Sequence, residues 1–262
     1  MKHHNIFLSN IIKKYIIMDT VGIYHKKLLK YKNIHKGEVC YLFGAGPTLN
    51  NFKKQENGIY IGVNHTLQKK EIRDNLKYYF FGHGYHYLTR EEKKLCSGHK
   101  EMVDALNHNI VEKFCMVSLN NKFIPQHKFT PERVEALSKI NAIPCDMNLH
   151  AFYTDIHNNS FMNHSIIFPA VQFALYAGFT KIYLVGCDCT GSFHSKGFSH
   201  KNGNKTINGA LAMDEKVVGP GGHFKGWWEK LYKHKNKHYP NVKIININPV
   251  GLKNKMDKDI FT

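Results

Sequence analysis

Apolar positions along the chain follow two rhythms. Short unbroken runs, each closed by glycine or asparagine, alternate with stretches of three-to-four-residue spacing. Val39-Cys40-Tyr41-Leu42-Phe43 runs into Gly44, Ile59-Tyr60-Ile61-Gly62-Val63 into Asn64, and Lys77-Tyr78-Tyr79-Phe80-Phe81 into Gly82-His83-Gly84. Residues 114–117, 181–185 and 242–247 continue the series. A short apolar run bounded by turn residues predicts a strand buried on both faces. Helical spacing recurs over residues 5–34 in two pieces, first Ile6, Phe7, Ile11, Ile12, Tyr15 and Ile16, then Val21, Tyr24, Leu28 and Leu29. It returns within 89–113, over 166–178 with Gly178 as the stop, and over 224–239. Residues 120–163 read as loop-rich. Residues 190–222, dense in Gly, Ser, His, Asn and Lys, read as a long loop of the kind that serves as a lid. Strands alternating with helices predict an α/β fold: a Rossmann-like, mostly parallel sheet with helices on both faces. The expected organisation is an N-terminal helical extension over 1–36 and one catalytic domain over 37–262.

Composition narrows the class. A chain of 262 residues with 42% hydrophobic and 13% aromatic content builds one ordinary domain and is not a disordered polymer. No apolar run reaches the roughly 18 residues of a spanning helix. Lys13 and Lys14 divide the first apolar stretch and no small-residue cleavage site follows, so no secretory signal is expected. The basic amphipathic segment 5–34 either packs on its own domain or rests on a membrane surface. Six cysteines without a CxxC spacing read as reduced, buried thiols of a cytoplasmic protein.

The formal charge of +17 raises nucleic acid as a partner, but the kind of charge argues against it. Only Arg73, Arg90 and Arg133 are arginines, against 34 lysines spread along the chain. Base readout and bidentate phosphate binding favour arginine. Scattered lysines fit solvated faces, or attraction to anionic substrates or an anionic membrane surface. No nucleic-acid partner is expected.

The chemistry-bearing residues gather at predicted strand ends, where open α/β sheets bind ligands. Gly44-Ala45-Gly46-Pro47-Thr48 follows the first strand, and Pro47 suits the first turn of a helix. The next N–H groups could hold a phosphate, or the segment is a plain tight turn. It is neither a dinucleotide fingerprint, since Leu49 stands where a third glycine belongs, nor a P-loop. Asn64 ends the second strand, as a ligand contact or a local turn residue. Gly186-Cys187-Asp188-Cys189 ends the 181–185 strand, with Asp188 as a hydrogen-bond acceptor or a cap. Cys187 and Cys189 with His194 and His200 match no standard zinc spacing, so no metal is expected. Asp257-Lys258-Asp259 has no strand before it and reads as solvated. His223, behind Gly219-Pro220-Gly221-Gly222 and at a helix start, can take a proton from a hydroxyl near neutral pH.

In order, these pieces resemble the bacterial sialyltransferases of glycosyltransferase family 42, and the wider superfamily of motility accessory factor and archaeal pterin pyrophosphokinase-like domains. The resemblance is carried by Gly44-Ala45-Gly46-Pro47-Thr48-Leu49, Asn64, the block from Ala174 to Asp188, and Gly222-His223. It implies a variant glycosyltransferase-A-like fold, inversion at the anomeric centre and no required metal. It also implies a nucleotide-sugar donor, a CMP-linked sugar being the first choice, and a glycan or glycolipid acceptor. Gly44 to Thr48, Asn64, Ser165, Ile166, and Gly186 to Cys189 would then form the donor site, with His223 as the general base. The chain departs from that pattern at Ala45, where the family has Asn. Where the family has tyrosines near the leaving phosphate it offers Thr190, Lys196 and Pro220, and Lys196 or Lys201 could replace tyrosine as the phosphate ligand. These departures leave the identity of the sugar open.

The expected function is therefore transfer of a sugar, sialic acid or a relative, to a bacterial surface glycan such as lipooligosaccharide. The setting is the cytoplasm, with peripheral contact at the inner membrane and a homo-oligomer both admitted. Two rivals stand beside it. A pterin-type pyrophosphokinase would need ATP, Mg²⁺ and acidic ligands, of which the strand ends supply mainly Asp188. A non-enzymatic binder of anionic polymer would sit poorly with so few arginines.

Overall fold

The computed structural model describes residues 24, 26–82, 103–107, 112–117, 130–148, 150–162, 165–187, 206–207, 210–211 and 223–247. Eight strands form one sheet: β1 (Val39–Phe43), β2 (Ile59–Val63), β3 (Leu76–Phe81), β4 (Glu112–Val117), β5 (Ala142–Asn148), β6 (Phe161–Met162), β7 (Lys181–Val185) and, last in the chain, β10 (Lys243–Asn246). Their order is β10-β7-β1-β2-β3-β4-β5-β6, and every pairing is parallel. A two-residue hairpin, β8 (Thr206–Ile207) with β9 (Ala210–Leu211), stands apart from the sheet within the segment read as a lid. The rest of that segment lies outside the described residues.

Helices cover both faces, as the sequence pattern predicts. The α-helices are α1 (Lys70–Arg73), α2 (Pro131–Lys139), α3 (Ile167–Tyr176) and α4 (His223–His238). One core joins Leu42, Ile61, Phe80, Phe114 and Leu184 to α3, and to Trp228 and Leu231 of α4. The other joins Phe43, Tyr79, Phe81, Cys115 and Val117 to Leu49, Leu67, Ile72 and Leu137. All ten residues of α3 are buried. Its buried amide, Gln172, has a partner at each end: Oε1 accepts from the Met162 N–H at 3.1 Å and Nε2 donates to the Tyr153 carbonyl at 2.8 Å. That satisfaction is what makes a buried amide tolerable. Phe173 packs against Tyr31, Tyr78, Phe80 and Phe114.

Two readings from the sequence are corrected, and a third is bounded more narrowly. The segment 120–163 holds α2, β5 and β6 rather than loop alone. Near the N-terminus, the described chain forms a 3-10 helix at Leu28–Tyr31 and then turns, so helix does not run to residue 34. Within 89–113 a helical turn occupies 103–106, and β4 already begins at Glu112.

The turns after Tyr31 have a purpose. N–H groups of Asn33, His35 and Gly37 donate to the carbonyls of Tyr176, Ala177 and Gly178 at 3.0, 2.8 and 3.3 Å. Those are the orphan carbonyls at the end of α3, which need partners once buried. His35 stacks on Phe179 with ring centres 4.6 Å apart, and its Nε2 lies 2.7 Å from the Tyr78 hydroxyl.

Candidate functional site

Chain direction reverses across the sheet at one place. From β1 the strands step outward through β2 to β6, and the chain then returns to lay β7 on the other side of β1. The carboxyl ends of β1 and β7 therefore form a topological switch point, where open α/β sheets leave a crevice for ligands. Phe43 pairs with Val185 as the last residue of each strand. Gly44 and Gly186 follow immediately.

These two glycines meet backbone to backbone. The Gly44 N–H donates to the Val185 carbonyl at 2.7 Å, and the Gly46 N–H donates to the Gly186 carbonyl at 2.8 Å. A Cβ on Gly44 would stand 2.5 Å from the Gly186 carbonyl oxygen, and one on Gly186 would stand 2.6 Å from that of Gly44. Gly186 also adopts φ +66°, a left-handed conformation that disfavours any side chain. The glycines thus let the two strand ends close on each other. The Gly46 N–H, one of the donors considered for a phosphate, is occupied by this closure.

Pro47 begins a helix as expected, but it is a five-residue 3-10 helix, Pro47–Asn51, rather than an α-helix. Thr48 is half-buried and Leu49 is fully buried in the core. Ala45, half-buried, lies between Gly44 and Gly46 in the chain. The ammonium of Lys69 donates to the Leu49 carbonyl at 2.8 Å and fastens this turn to the segment after β2.

Asn64 flanks the junction on the β2 side. Its φ is +44°, a region that asparagine tolerates better than most residues. Its Oδ1 accepts from the Gly82 N–H at 3.4 Å, and its carbonyl accepts from the Tyr79 hydroxyl. Asn64 therefore ties the ends of β2 and β3 together.

Asn246 flanks the junction on the β7 side. It closes β10, is 3% exposed, and its Nδ2 donates to the Cys187 carbonyl at 3.4 Å. Its Oδ1 is buried and meets no hydrogen-bond partner among the described residues. The reading from sequence missed Asn246 and Lys69. Asn246 carries the same signal as Asn64, an asparagine closing an apolar strand. Lys69 gave no signal beyond its place in a lysine pair.

The helix starts lie at the same edge. Helix α4 returns to β10 through a short turn, so it runs antiparallel to that strand and its first residue, His223, lies toward the carboxyl edge. Helix α3 leads into β7 in the same sense. Trp228, in the second turn of α4, packs on Phe168, in the first turn of α3, with ring centres 5.1 Å apart. Ser165 and Ile166, both half-buried, sit at the start of α3, where the Ser165 carbonyl accepts from the Phe168 N–H at 3.0 Å. The backbone thus gathers Gly44 to Thr48, Asn64, Ser165, Ile166, Gly186, Cys187 and the first residue of α4 at one edge. Asp188, Cys189, Thr190 and Lys196 lie outside the described residues, as does the side chain of His223.

Cysteine chemistry finds no support in the core. Burial pushes the thiols of Cys40, Cys115 and Cys145 well above their ordinary range, which suppresses the reactive thiolate. Cys187 is buried, with its Sγ 3.8 Å from the Val185 carbonyl. Among the described residues no group of three or more His, Cys, Asp or Glu side chains could hold a metal ion. Among the same residues no helix is long and apolar enough to cross a membrane.

No protein-family model matches the chain, and no curated protein sequence matches it. Among solved structures it is similar to the monofunctional alpha-2,3-sialyltransferase Cst-I of Campylobacter jejuni, at 16% identity and a TM-score of 0.43, over 86% of this chain and 79% of that one. It is also similar to the sialyltransferase CST-II in complex with a trisaccharide acceptor and CMP, at 15% identity and a TM-score of 0.42, over 86% and 88% of the two chains. A third similar structure is the sialyltransferase CstII of Campylobacter jejuni in complex with the substrate analogue cytidine-5'-monophosphate, at 13% identity and a TM-score of 0.40, over 86% and 84%.

Proposed function

We propose that the chain is an inverting, metal-independent glycosyltransferase. It moves a sugar, sialic acid or a relative, from a CMP-linked donor to a glycan or glycolipid such as lipooligosaccharide, in the cytoplasm and at the inner membrane face. The observation that supports this most is the glycine junction at the β1/β7 switch point, with the starts of α3 and α4 beside it. Gly44, Asn64 and Gly186, which carry part of the resemblance to the sialyltransferase pattern, follow strand ends of that edge.

In this reading the backbone around Gly44–Thr48 and Gly186–Cys187, with Asn64, Ser165 and Ile166, receives the nucleotide. Asp188, Cys189 and Thr190 complete that contact, and Lys196 neutralises the leaving phosphate. His223 takes the proton of the acceptor hydroxyl. The acceptor oxygen then bonds to the anomeric carbon as the carbon–oxygen bond to the phosphate breaks, and the nucleotide monophosphate leaves with that electron pair. Attack from the face opposite the leaving group inverts the centre, and the oxocarbenium-like transition state is helped by both base and phosphate ligand.

The test has two stages. A nucleotide at about 100 times its dissociation constant should raise the melting temperature by roughly 5–10 °C, and CMP should do so in preference to UMP and GMP. His223→Ala should keep that shift while losing transfer by about a hundredfold to ten-thousandfold. Full transfer in the variant removes His223 as the base. No shift with any nucleotide removes the transferase reading.

A further inference from the structure

Away from the carboxyl edge, a recess of about 500 Å³ opens between α4 and the outer edge of β10. Tyr232 and Lys235 of α4 form one wall, and the chain from Pro240 to Ile245 forms the other. Lys235 lies three turns and more beyond His223, about 18 Å along the helix axis. The recess is therefore separate from the proposed transfer site, and its role does not rest on that reading.

Its chemistry is one-sided. Lys235 is only 9% exposed, yet its ammonium meets one acceptor, the Asn236 Oδ1 at 2.9 Å. No carboxylate pairs with it among the described residues, and burial lowers its pKa. Lys113, the other buried lysine, is handled differently. Its ammonium reaches the Ile140 carbonyl at 3.0 Å, where α2 ends, and so completes a helix terminus. Lys235 completes nothing comparable. Lys243, an exposed ammonium, stands across the recess. The amides of β10 add to this. Lys243 and Ile247 turn their N–H groups to the carbonyls of Thr180 and Leu184, so the alternate N–H of Ile244 points to the free edge of the sheet. Among the described residues none that lines the recess is acidic.

A recess that holds a part-buried ammonium beside a second one, with no carboxylate on either among the described residues, is suited to an oxyanion. We propose that this recess binds a phosphate group, with Lys235 as its principal cation and Lys243 and the edge amide of Ile244 in support. The group belongs either to a soluble phosphate compound or to the headgroup of an anionic lipid.

Inorganic pyrophosphate titrated by calorimetry tests the first source, and flotation with phosphatidylglycerol against phosphatidylcholine vesicles tests the second. Three variants read the site: Lys235→Met, Lys243→Gln, and Lys230→Gln as a control for general charge. Lys230 lies on the same helix but sits over the Trp227 ring, 3.8 Å from its centre, outside the recess. Lys235→Met should weaken binding about tenfold or more, as expected for loss of a charged hydrogen-bond donor, and Lys243→Gln about threefold, with Lys230→Gln unchanged. Pyrophosphate binding lost in this order supports a soluble ligand. Phosphatidylglycerol-selective flotation lost in this order supports a lipid headgroup. The proposal is overturned if the wild type binds neither probe, or if Lys235→Met binds as well as the wild type. It is equally overturned if Lys230→Gln loses as much as the recess variants. Should Lys235→Met fail to fold, Lys243→Gln against Lys230→Gln decides, because both positions tolerate a polar side chain.

Discussion

Gly186→Ala is the sharpest probe of the junction between β1 and β7. The residue has φ +66°, where an alanine costs about 1–2 kcal/mol. The new Cβ would also lie 2.6 Å from the Gly44 carbonyl oxygen and 3.0 Å from the Leu49 Cβ. Both obstacles are tied to the core and cannot swing aside, so relief requires the strand ends to part, at a further cost of about 1–3 kcal/mol. The expected loss is roughly 2–5 kcal/mol, a large part of the roughly 5–15 kcal/mol typical of a domain. Two controls divide this sum. Gly37 has φ +89°, and a Cβ added there would meet nothing within 4 Å, so Gly37→Ala should lose about 1–2 kcal/mol from conformation alone. Gly226, inside α4 and also free of neighbours, should gain up to about 1 kcal/mol as alanine. Urea unfolding of the three variants measures each term. A Gly186→Ala loss no greater than that of Gly37→Ala would refute the close approach of the two strand ends.

Three other substitutions probe the same edge and the helix behind it. Asn64→Ala should lose about 1–2 kcal/mol, from its positive φ and the bond to the Gly82 N–H, whereas Asn64→Gly should lose less. If Asn64 also touches the nucleotide, both variants weaken CMP binding equally, a difference that titration would reveal. Asn246→Leu removes a buried acceptor that has no partner among the described residues, worth about 1–3 kcal/mol, and sacrifices one long bond to the Cys187 carbonyl. It should be as stable as the wild type or more so in urea, and a clear loss would show that the amide holds β7 in place. Burial, with His238 and Lys237 nearby, pushes His234 from 6.5 down to about 4. The unfolded chain binds this proton more readily, so the stability from a neutral His234 is complete above about pH 6.5 and drains away as pH falls toward 4. Melting curves between about pH 7 and 4.5 should therefore fall more steeply for the wild type than for His234→Phe, and parallel profiles would count against it.

What the sequence reveals depends on how each element is buried. β1, β2, β3 and β7 are legible because helices or 3-10 turns cover both faces, which leaves continuous apolar runs. β5 is not, since Pro144, Asp146 and Asn148 interrupt it. Its geometry explains the exception: β6 pairs only with Met147 and Asn148, so the outer edge beside Pro144 needs no ladder N–H. Helix α2 buries Leu137 and, in part, Val134, too little for a clear helical stripe, although Thr130-Pro131 marks its start. The turns of residues 32–37 answer to the end of α3, far along the chain, and local spacing carries no trace of that. At the site, the glycines are visible as turn formers. That Gly44 and Gly186 need glycine because of each other is tertiary information, and so is the occupation of the Gly46 N–H.

The ends of the four strands on the β10 side of the sheet bear on how such a crevice works. Reading across β2, β1, β7 and β10, the residues at or just beyond the strand ends are Asn64, Gly44, Gly186 and Asn246. The middle pair forms a floor of backbone locked by its own hydrogen bonds, and the outer pair places a neutral amide on either side. Such a floor does not reorganise when a ligand arrives, so ordering it costs little binding energy. The amides differ in what they have left to offer. Asn64 Oδ1 already serves the Gly82 N–H, whereas Asn246 Oδ1 is buried and has no partner among the described residues. A polar atom kept without a partner in a core is costly, and native structures retain few of them. Among the described residues the two flanks are therefore unequal: the β2 side is built chiefly to hold strands together, and the β10 side carries the acceptor with hydrogen-bonding capacity still unused.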